Sequence, residues 1–298
     1  MTASSSSVSP VSLAVPLLLL AILTATLIAR LGINSREARE AVADPPQTVV
    51  VAPHSFSYRD AGEFYRGGYA VDAPLRELSA AKPLEIMKYQ VSEQEYSVCV
   101  DDGGCLAPER PNDRKADVPI VGVSYDDALS YAAWLSRQTG ETWRLPRDEE
   151  LAFAAGSRFP DDALGVDADA RNPALRWLAD YRREVARKAS SNPSPRPRGS
   201  FAESEFGLAD FAGNIWEWTG TCNRRVILDD GGDVASDISS CGIYLAVGKH
   251  RSPMSSFVRD PKGGGCSVGT PPDNLGFRLV KDTRWYMRLL HSLRRPAG

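Results

Sequence analysis

The longest apolar run in this chain of 298 residues lies near its start. Residues 11–29 are apolar apart from Ser12, Thr24 and Thr26, and a helix of this length spans roughly 28 Å at about 1.5 Å per residue, close to the thickness of a bilayer core. The leader before the run carries no charge, whereas a cleaved signal peptide normally begins with basic residues. We therefore predict an uncleaved membrane anchor within residues 1–30.

Short alternating patterns follow a charged, proline-containing linker at residues 31–47. From Thr48 to about residue 72, apolar and polar residues alternate between turn residues, which predicts a series of short strands. Residues 84–100 have the pattern of a strand that leads into a short helix.

Two helices are predicted with defined ends. The stronger one begins after Ser124, an N-cap residue, with Asp126 and Asp127 in its first turn. Gly140 ends it, because glycine readily adopts the left-handed conformation that follows a helix. A second helix is predicted after Pro146.

After Gly156 the periodicity is lost, and the sequence favours loops. The stretch from Cys222 to Val247 is rich in turn residues, and the sequence Asp-Asp-Gly-Gly at residues 229–232 marks its tip. We predict one domain over residues 48–283, followed by a tail at 284–298 that has the pattern of an amphipathic helix.

The composition is that of a globular protein, with 43% hydrophobic residues, 35 basic residues and 38 acidic residues. The net charge of -3 gives no cationic field that would hold a phosphate backbone. We therefore exclude nucleic acid as a partner.

The five cysteines fall into two short-range pairs and one single residue. The turn VDDGG separates Cys99 from Cys105, and a polar loop separates Cys222 from Cys241. A thiolate metal pair is the alternative for the first two, but no second pair lies nearby to complete a zinc site. We predict two disulfides, Cys99–Cys105 and Cys222–Cys241, with Cys266 left over.

Two observations disagree about membrane orientation. Arg30, Arg36 and Arg39 follow the apolar run, which by the positive-inside rule favours a cytoplasmic body. Paired cysteines favour an oxidising compartment. We predict a single-pass inner-membrane protein with a periplasmic body, or secretion to the periplasm if the N-terminal segment is cleaved.

Four sequence blocks occur in series: YQVSEQEYSVCV, VPIVGVSYDDALSYAAWLSRQTGETWRLPRDEELAFAAG, GLADFAGNIWEW and NLGFRLV. Together they resemble the formylglycine-generating enzyme (sulfatase-modifying factor) family over residues 83–281. The resemblance implies an α+β, loop-rich fold, a variant of the C-type lectin fold.

The resemblance also points to the segment KHRSPM, residues 249–254. In the family this segment reads C-H-R-S-Y-C, and its two cysteines bind copper and activate oxygen. Lys249 and Met254 stand in their places, which implies that the usual formylglycine-generating oxidation is lost. The candidate pocket residues are Lys249, His250, Arg251, Ser252, Met254 and Cys266.

Carried over from the family, GLADFAGNIWEW implies a calcium site. Its ligands are the side chains of Asp210 and Glu217 and the backbone carbonyls of Gly213 and Ile215, hard oxygen donors that suit calcium. The alternative is that Glu217 pairs with a buried arginine. A second family calcium site is not expected, because residues 179–181 match it poorly.

Copper remains an alternative for the pocket. His250, Met254 and Cys266 would supply the imidazole and sulfur donors that copper(I) prefers. Alternatively, Met254 fills the space of a lost ligand and Lys249 places an ammonium where copper would lie.

The leading functional prediction is a membrane-anchored accessory protein that binds a protein or peptide client. The amino-acid sequence of the C-terminal blocks is similar to that of accessory proteins of copper nitrite reductase. This resemblance points to the maturation of a periplasmic metalloenzyme in denitrification. One alternative is an oxidase with a non-standard metal site in the same pocket. Another is a non-catalytic, calcium-stabilised, lectin-like binding module.

Overall fold

The structure, a computed structural model, describes residue 20 and residues 45–109, 113–166, 172–189, 194–261 and 274–283. The chain divides between Val42 and Ala43 into two units, and every described residue except Leu20 belongs to the second. The predicted tail at 284–298 and Cys266 lie outside the described residues.

Four α-helices occur in the described chain: α1 (Glu93–Asp101), α2 (Tyr125–Thr139), α3 (Asp148–Ala155) and α4 (Pro173–Ala189). The predicted ends of α2 are confirmed. The Ser124 hydroxyl accepts a hydrogen bond from the Asp127 backbone N–H, and Gly140 adopts a left-handed conformation with φ of 71°. The predicted strand-to-helix transition and the helix after Pro146 are also present.

Twelve strands are described: β1 (Thr48–Val51), β2 (Ser55–Arg59), β3 (Glu63–Arg66), β4 (Tyr69–Val71), β5 (Leu75–Ser79), β6 (Leu84–Met87), β7 (Trp143–Arg144), β8 (Trp216–Leu228), β9 (Val234–Val247), β10 (Arg251–Ser255), β11 (Leu275–Gly276) and β12 (Val280–Lys281). They form a four-stranded sheet in the order β1-β6-β12-β7 and a two-stranded sheet of β2 and β5. The third sheet has the order β10-β9-β8-β3-β4, with β11 paired to β8. This mixed, loop-rich arrangement confirms the predicted α+β class.

Strands β8 and β9 correct one expectation. We expected a turn-rich region from Cys222 to Val247 with its tip at residues 229–232. The two strands instead form a long antiparallel hairpin, and its turn lies at that predicted tip. Most residues in the first part of β9 are exposed, and the register shifts between Trp218 and Cys222. Because neither strand keeps a regular alternation of apolar and polar residues, the sequence pattern does not predict them.

Helix α4 corrects a second expectation, since its 17 residues lie where we predicted loops. The helical spacing of Leu178, Tyr181 and Val185 is the sequence pattern that identifies it.

The third and fourth sequence blocks are direct neighbours in space. Strand β11 pairs in parallel with β8, with Leu275 opposite Trp216 and Gly276 opposite Glu217. Gly276 is packed so closely that a Cβ atom there would lie 2.2 Å from the carbonyl oxygen of Ile120. Two segments distant in sequence therefore meet at a position that only glycine fits.

Both predicted disulfides are present. Cys99 and Cys105 have Cα atoms 5.3 Å apart, and Cys222 and Cys241 have Cα atoms 4.9 Å apart. The second disulfide cross-links β8 to β9.

The predicted single-pass inner-membrane anchor with a periplasmic body has to be corrected. Among the described residues, no helix is long and apolar enough to cross a membrane. The predicted span at residues 11–29, Leu20 excepted, lies outside the described residues.

Candidate functional site

The segment 249–254 lies at the turn from β9 into β10. Lys249 is exposed, whereas His250 is buried, with its ring edge-to-face against Trp216 at a centroid distance of 4.3 Å. Ser252 and Met254 are buried on one side of β10. The predicted pocket residues that the structure describes therefore differ in exposure and do not all face one cavity.

Arg251 is held by a set of contacts that fixes its guanidinium group. Its Nε donates to Asp162 at 2.9 Å, and its Nη1 donates to Asp148 at 3.1 Å and to the Arg59 carbonyl at 2.8 Å. The guanidinium carbon also lies 5.8 Å from the ring centroid of Phe159. Arg251 thus joins β10 to β2, to α3 and to the loop that follows α3.

The carboxylate of Asp148 is completely buried at the start of α3. Burial raises its pKa, and the neighbouring Arg251 opposes this rise. Its Oδ2 also accepts a hydrogen bond from the Tyr58 hydroxyl at 2.7 Å, and burial of that hydroxyl raises the pKa of Tyr58 as well. These groups form a buried network around Oδ2 of Asp148, whereas Oδ1 of the same carboxylate is buried without a hydrogen-bond partner among the described residues.

Two cavities adjoin the 249–254 segment. The first, of about 310 Å³, is lined by Lys249, Arg196, Asn214 and Trp216 among others, and its described lining residues include no carboxylate. The second is larger, about 510 Å³, and His250 and Arg251 contribute to its wall. The first cavity is cationic, whereas acidic and basic residues are mixed around the second.

The first cavity is shaped by two loops that are tied together. Asn214 accepts a hydrogen bond from the Arg196 N–H at 2.9 Å and donates one to the Arg196 carbonyl at 2.8 Å. Asp210, in a left-handed conformation with φ of 60°, accepts from the N–H groups of Gly199 and Phe201 at 2.7 and 2.8 Å. The loop predicted to hold calcium therefore uses its acidic side chain to position the neighbouring loop.

Glu217 makes the ion pair that we considered as the alternative to calcium. Arg278 donates to its two carboxylate oxygens at 2.5 and 2.7 Å, and Gln90 donates to it at 2.8 Å. The side chains of Glu217 and Arg278 are both inaccessible to solvent. Arg278 also donates to the carbonyls of Lys88 and Ala209, so the pair is satisfied on every side.

As folded, this donor set does not fit calcium, because Arg278 already neutralises the charge of Glu217. The carbonyls of Gly213 and Ile215 belong to residues that line the first cavity, while Glu217 is completely buried. Residues 179–181, which match the second family calcium site poorly, lie within helix α4. The calcium site stays a prediction, to be decided by chelation.

The described members of the predicted copper site are not arranged to bind copper either. Met254 packs in the main hydrophobic core, and its sulfur lies 3.9 Å from the Ser252 hydroxyl. Cys266, its third member, falls outside the described residues. In the part of the chain that the structure describes, no group of three or more His, Cys, Asp or Glu side chains is arranged to hold a metal ion. Copper binding stays a prediction.

Sequence reasoning missed three features of this site. Asp162 belongs to a loop without periodicity, and nothing in the sequence connects it to Arg251. Arg196 lies in a proline-rich stretch that we predicted as loop, and its place beside Lys249 depends on the long-range contact with Asn214. Asp148 lies at the start of the helix that we predicted after Pro146, and this position gives no sign of its role. Its burial against Arg251 depends on the packing of α3 against other elements, which sequence spacing does not show.

Comparison with known proteins identifies the domain. Residues 34–283 match the model of the sulfatase-modifying factor enzyme 1-like domain. This match covers most of the chain and includes all four sequence blocks.

Characterised relatives are similar over part of their length. The chain is 34% identical over 190 residues to a formylglycine-generating enzyme of Mycobacterium tuberculosis, covering 56% of this chain and 58% of that protein. It is 28% identical over 180 residues to inactive C-alpha-formylglycine-generating enzyme 2 of Mus musculus, covering 56% of this chain and 50% of that protein. The chain thus spans about half the length of the curated relatives it matches.

A solved structure shares the fold. PvdO from Pseudomonas aeruginosa superimposes with a TM-score of 0.50 at 21% sequence identity, over 80% of this chain and 95% of that one. At this identity the similarity supports the fold alone.

Proposed function

The chain belongs to the sulfatase-modifying factor enzyme 1-like family, and we propose that it is an accessory or maturation protein that binds a protein client without oxidising it. The observation that carries this proposal is which residues occupy the two positions where the family has cysteines, and where those residues lie. Met254 is a buried core residue and Lys249 lines a cationic cavity. Neither side chain reproduces a thiolate, and the adjoining Arg251 is committed to structural ion pairs.

The client contacts the first cavity through an acidic or carboxylate-bearing segment. Lys249 and Arg196 supply positive charge, the hydroxyl of Ser200 supplies a polar group, and Trp216 supplies an aromatic surface. Such a mixture of charge and aromatic area suits the recognition of a peptide side chain in a pocket.

The absence of oxidation is tested with a peptide that contains the C-x-P-x-R motif. The protein is incubated with the peptide, copper(I), oxygen and a thiol, and conversion of cysteine to formylglycine is followed by mass spectrometry. We expect no conversion, while the M. tuberculosis relative serves as a positive control. Formation of formylglycine by this chain would overturn the proposal.

We propose a metalloenzyme as the client, with copper nitrite reductase as the first candidate, because the segments HRSPM and PPDNLGFRLV are similar to those of its accessory proteins.

Immobilised nitrite reductase should bind the protein with a Kd in the micromolar range, about -8 kcal/mol. Lys249→Glu should weaken binding at least tenfold. Lys115→Glu, at an exposed lysine elsewhere, is the matched control and should leave binding unchanged. Equal losses in the two variants would contradict a specific role for the cavity.

A further inference from the structure

Helix α4 is attached to the rest of the domain through its polar side. Arg176 pairs with Asp72 at 3.0 Å, and Arg183 donates to the carbonyl of Asp162 at 2.6 Å. Arg183 also pairs with Asp180 within the helix at 2.8 Å. An amphipathic surface helix normally turns its polar side to solvent and its apolar stripe to the core. In α4 this arrangement is reversed.

The apolar side of α4 faces solvent. Trp177, Leu178, Tyr181 and Val185 fall within an arc of about 100° at 3.6 residues per turn, and we refer to these four as the outer face. Their exposed fractions are 68%, 36%, 57% and 50%. The rings of Trp177 and Tyr181 stack, with centroids 5.8 Å apart. An exposed, contiguous apolar patch of this kind marks an interaction site.

The outer face continues into a concavity. Trp177 also lines the second cavity, of about 510 Å³, together with Phe64 and Tyr65. A partner that covers the outer face can therefore place a side chain in a pocket beside it. This geometry favours a protein segment over a flat lipid surface. Tryptophan and tyrosine are also the residues that most often dominate the energetics of protein interfaces.

The charge of α4 indicates which kind of protein segment would bind to the outer face. The sequence of α4 contains five basic and two acidic residues, a net charge of +3 within a chain of net charge -3. A second copy of α4 would bring like charges together. The chain's own tail at 284–298, with four arginines and no acidic residue, would do the same. A segment that carries acidic residues around its apolar positions is complementary.

We propose that the outer face of α4 is a docking surface for an acidic amphipathic segment of the client protein. This inference rests on the proposed function, because it assigns the client a second point of contact besides the first cavity. The partner segment would lay its apolar side chains along the outer face, in the manner of a helix on a hydrophobic surface.

The test uses a labelled helical peptide with leucines at positions i, i+3, i+4 and i+7 and glutamates elsewhere, and a second peptide with lysines in place of the glutamates. Binding to the full chain is measured by fluorescence anisotropy. We expect the acidic peptide to bind and the lysine peptide to bind at least tenfold more weakly. The double variant Trp177→Ala/Tyr181→Ala should bind the acidic peptide at least tenfold more weakly than the wild type.

The matched control is the double variant Ile238→Ala/Phe257→Ala, which removes two other exposed apolar side chains. It should bind the acidic peptide like the wild type. Because all four substituted residues are exposed, melting curves should show that both variants fold. Equal binding of the two peptides, or equal losses in the two double variants, would overturn the inference.

The same variants also test two other occupants of the outer face, a lipid surface and a second copy of the chain. Binding to phosphatidylglycerol vesicles that exceeds binding to the acidic peptide and is lost in Trp177→Ala/Tyr181→Ala would overturn the inference in favour of a lipid surface. Dimerisation in sedimentation velocity that the same variant abolishes would overturn it in favour of a second copy. Failure of the wild type to bind the acidic peptide, with metalloenzyme binding retained, would reject the docking surface alone, whereas formylglycine formation would reject the proposed function.

Discussion

At the scale of single residues, the acids of the best-matching sequence blocks serve the fold. Glu217 neutralises Arg278 in a solvent-inaccessible pair, and Asp210 holds two backbone N–H groups of the adjoining loop. A buried ion pair adds little stability compared with apolar residues of similar volume, but the removal of one partner leaves an uncompensated charge. The cost of changing such residues is therefore large even without any chemistry.

Glu217→Gln should destabilise the protein by about 3 to 5 kcal/mol, because Arg278 would remain buried without a counter-charge. Urea unfolding at neutral pH measures this difference. Glu149→Gln, which removes an exposed pair with Arg147, is the control and should change the free energy of unfolding by at most about 0.5 kcal/mol. Similar effects in both variants would show that the pair is not buried as described.

Chelation decides the calcium prediction. Since Arg278 already neutralises Glu217, we expect EDTA to leave the melting temperature of the wild type unchanged. A fall in the wild type that is absent in Glu217→Gln would instead demonstrate a calcium ion held by Glu217.

At the scale of secondary-structure elements, Asp72 determines how α4 is attached. Its carboxylate accepts hydrogen bonds from the N–H groups of Leu164 and Gly165 and from Arg176. Partial burial raises the pKa of Asp72, but these three donors outweigh burial and hold the pKa below its usual value. A single carboxylate thus joins β4, the loop before α4 and α4 itself.

The attachment of α4 should be lost in acid. A carboxyl group with a lowered pKa stabilises the folded state above its unfolded pKa of about 3.8 and loses that contribution as the pH falls through its folded pKa. Asp72→Asn should reproduce the loss at neutral pH, with amide hydrogen exchange in α4 about tenfold faster or more. Exchange in α2 serves as the internal control and should not change.

Sequence patterns predicted the elements that bury an apolar side and failed for those that do not. Helix α2 was predicted with its cap because Ser124, Asp127 and Gly140 act locally. The β8–β9 hairpin was missed because its apolar residues lose their period at a register shift. Helix α4 was missed although Leu178, Tyr181 and Val185 have helical spacing, and the sequence does not show that this side of the helix faces solvent. Exposure of an apolar side depends on what the element packs against, and spacing along the chain does not contain that information.

At the scale of the whole molecule, Arg251 connects parts of the chain that are far apart in sequence. It binds the Arg59 carbonyl, Asp148 and Asp162, positions separated from it by 192, 103 and 89 residues. The sequence placed Arg251 in a pocket with His250 and Lys249. The structure separates Lys249, which lines the first cavity, from His250 and Arg251, which contribute to the wall of the second, since only long-range packing determines which side of the turn each one faces.

Arg251→Ala should destabilise the protein by about 3 to 5 kcal/mol at neutral pH, because Asp148 would be left buried and charged. Burial already raises the pKa of Asp148. A carboxyl group with a raised pKa loses stability as the pH rises above its unfolded value, so the deficit of the variant should be smaller near pH 4 than at pH 7. Denaturant unfolding of the variant and the wild type at pH 4 and pH 7 measures this deficit in the free energy of unfolding.

Two further variants check the cause. Arg251→Ala/Asp148→Asn should recover part of the lost stability, because the second substitution removes the buried charge. Arg225→Ala, at an exposed arginine paired with Glu63, should change stability by at most about 0.5 kcal/mol. A deficit independent of pH would attribute the effect of Arg251 to packing alone.

The close approach at Gly276 has a consequence for evolution. A methyl group there would collide with the backbone of Ile120, and two residues later Arg278 must reach Glu217. The glycine and the arginine of the terminal motif are thus required by packing and by a buried ion pair, whatever reaction the domain carries out. Related domains with different activities can therefore keep this motif, so that its presence identifies the fold, while the chemistry has to be read at other positions such as 249 and 254.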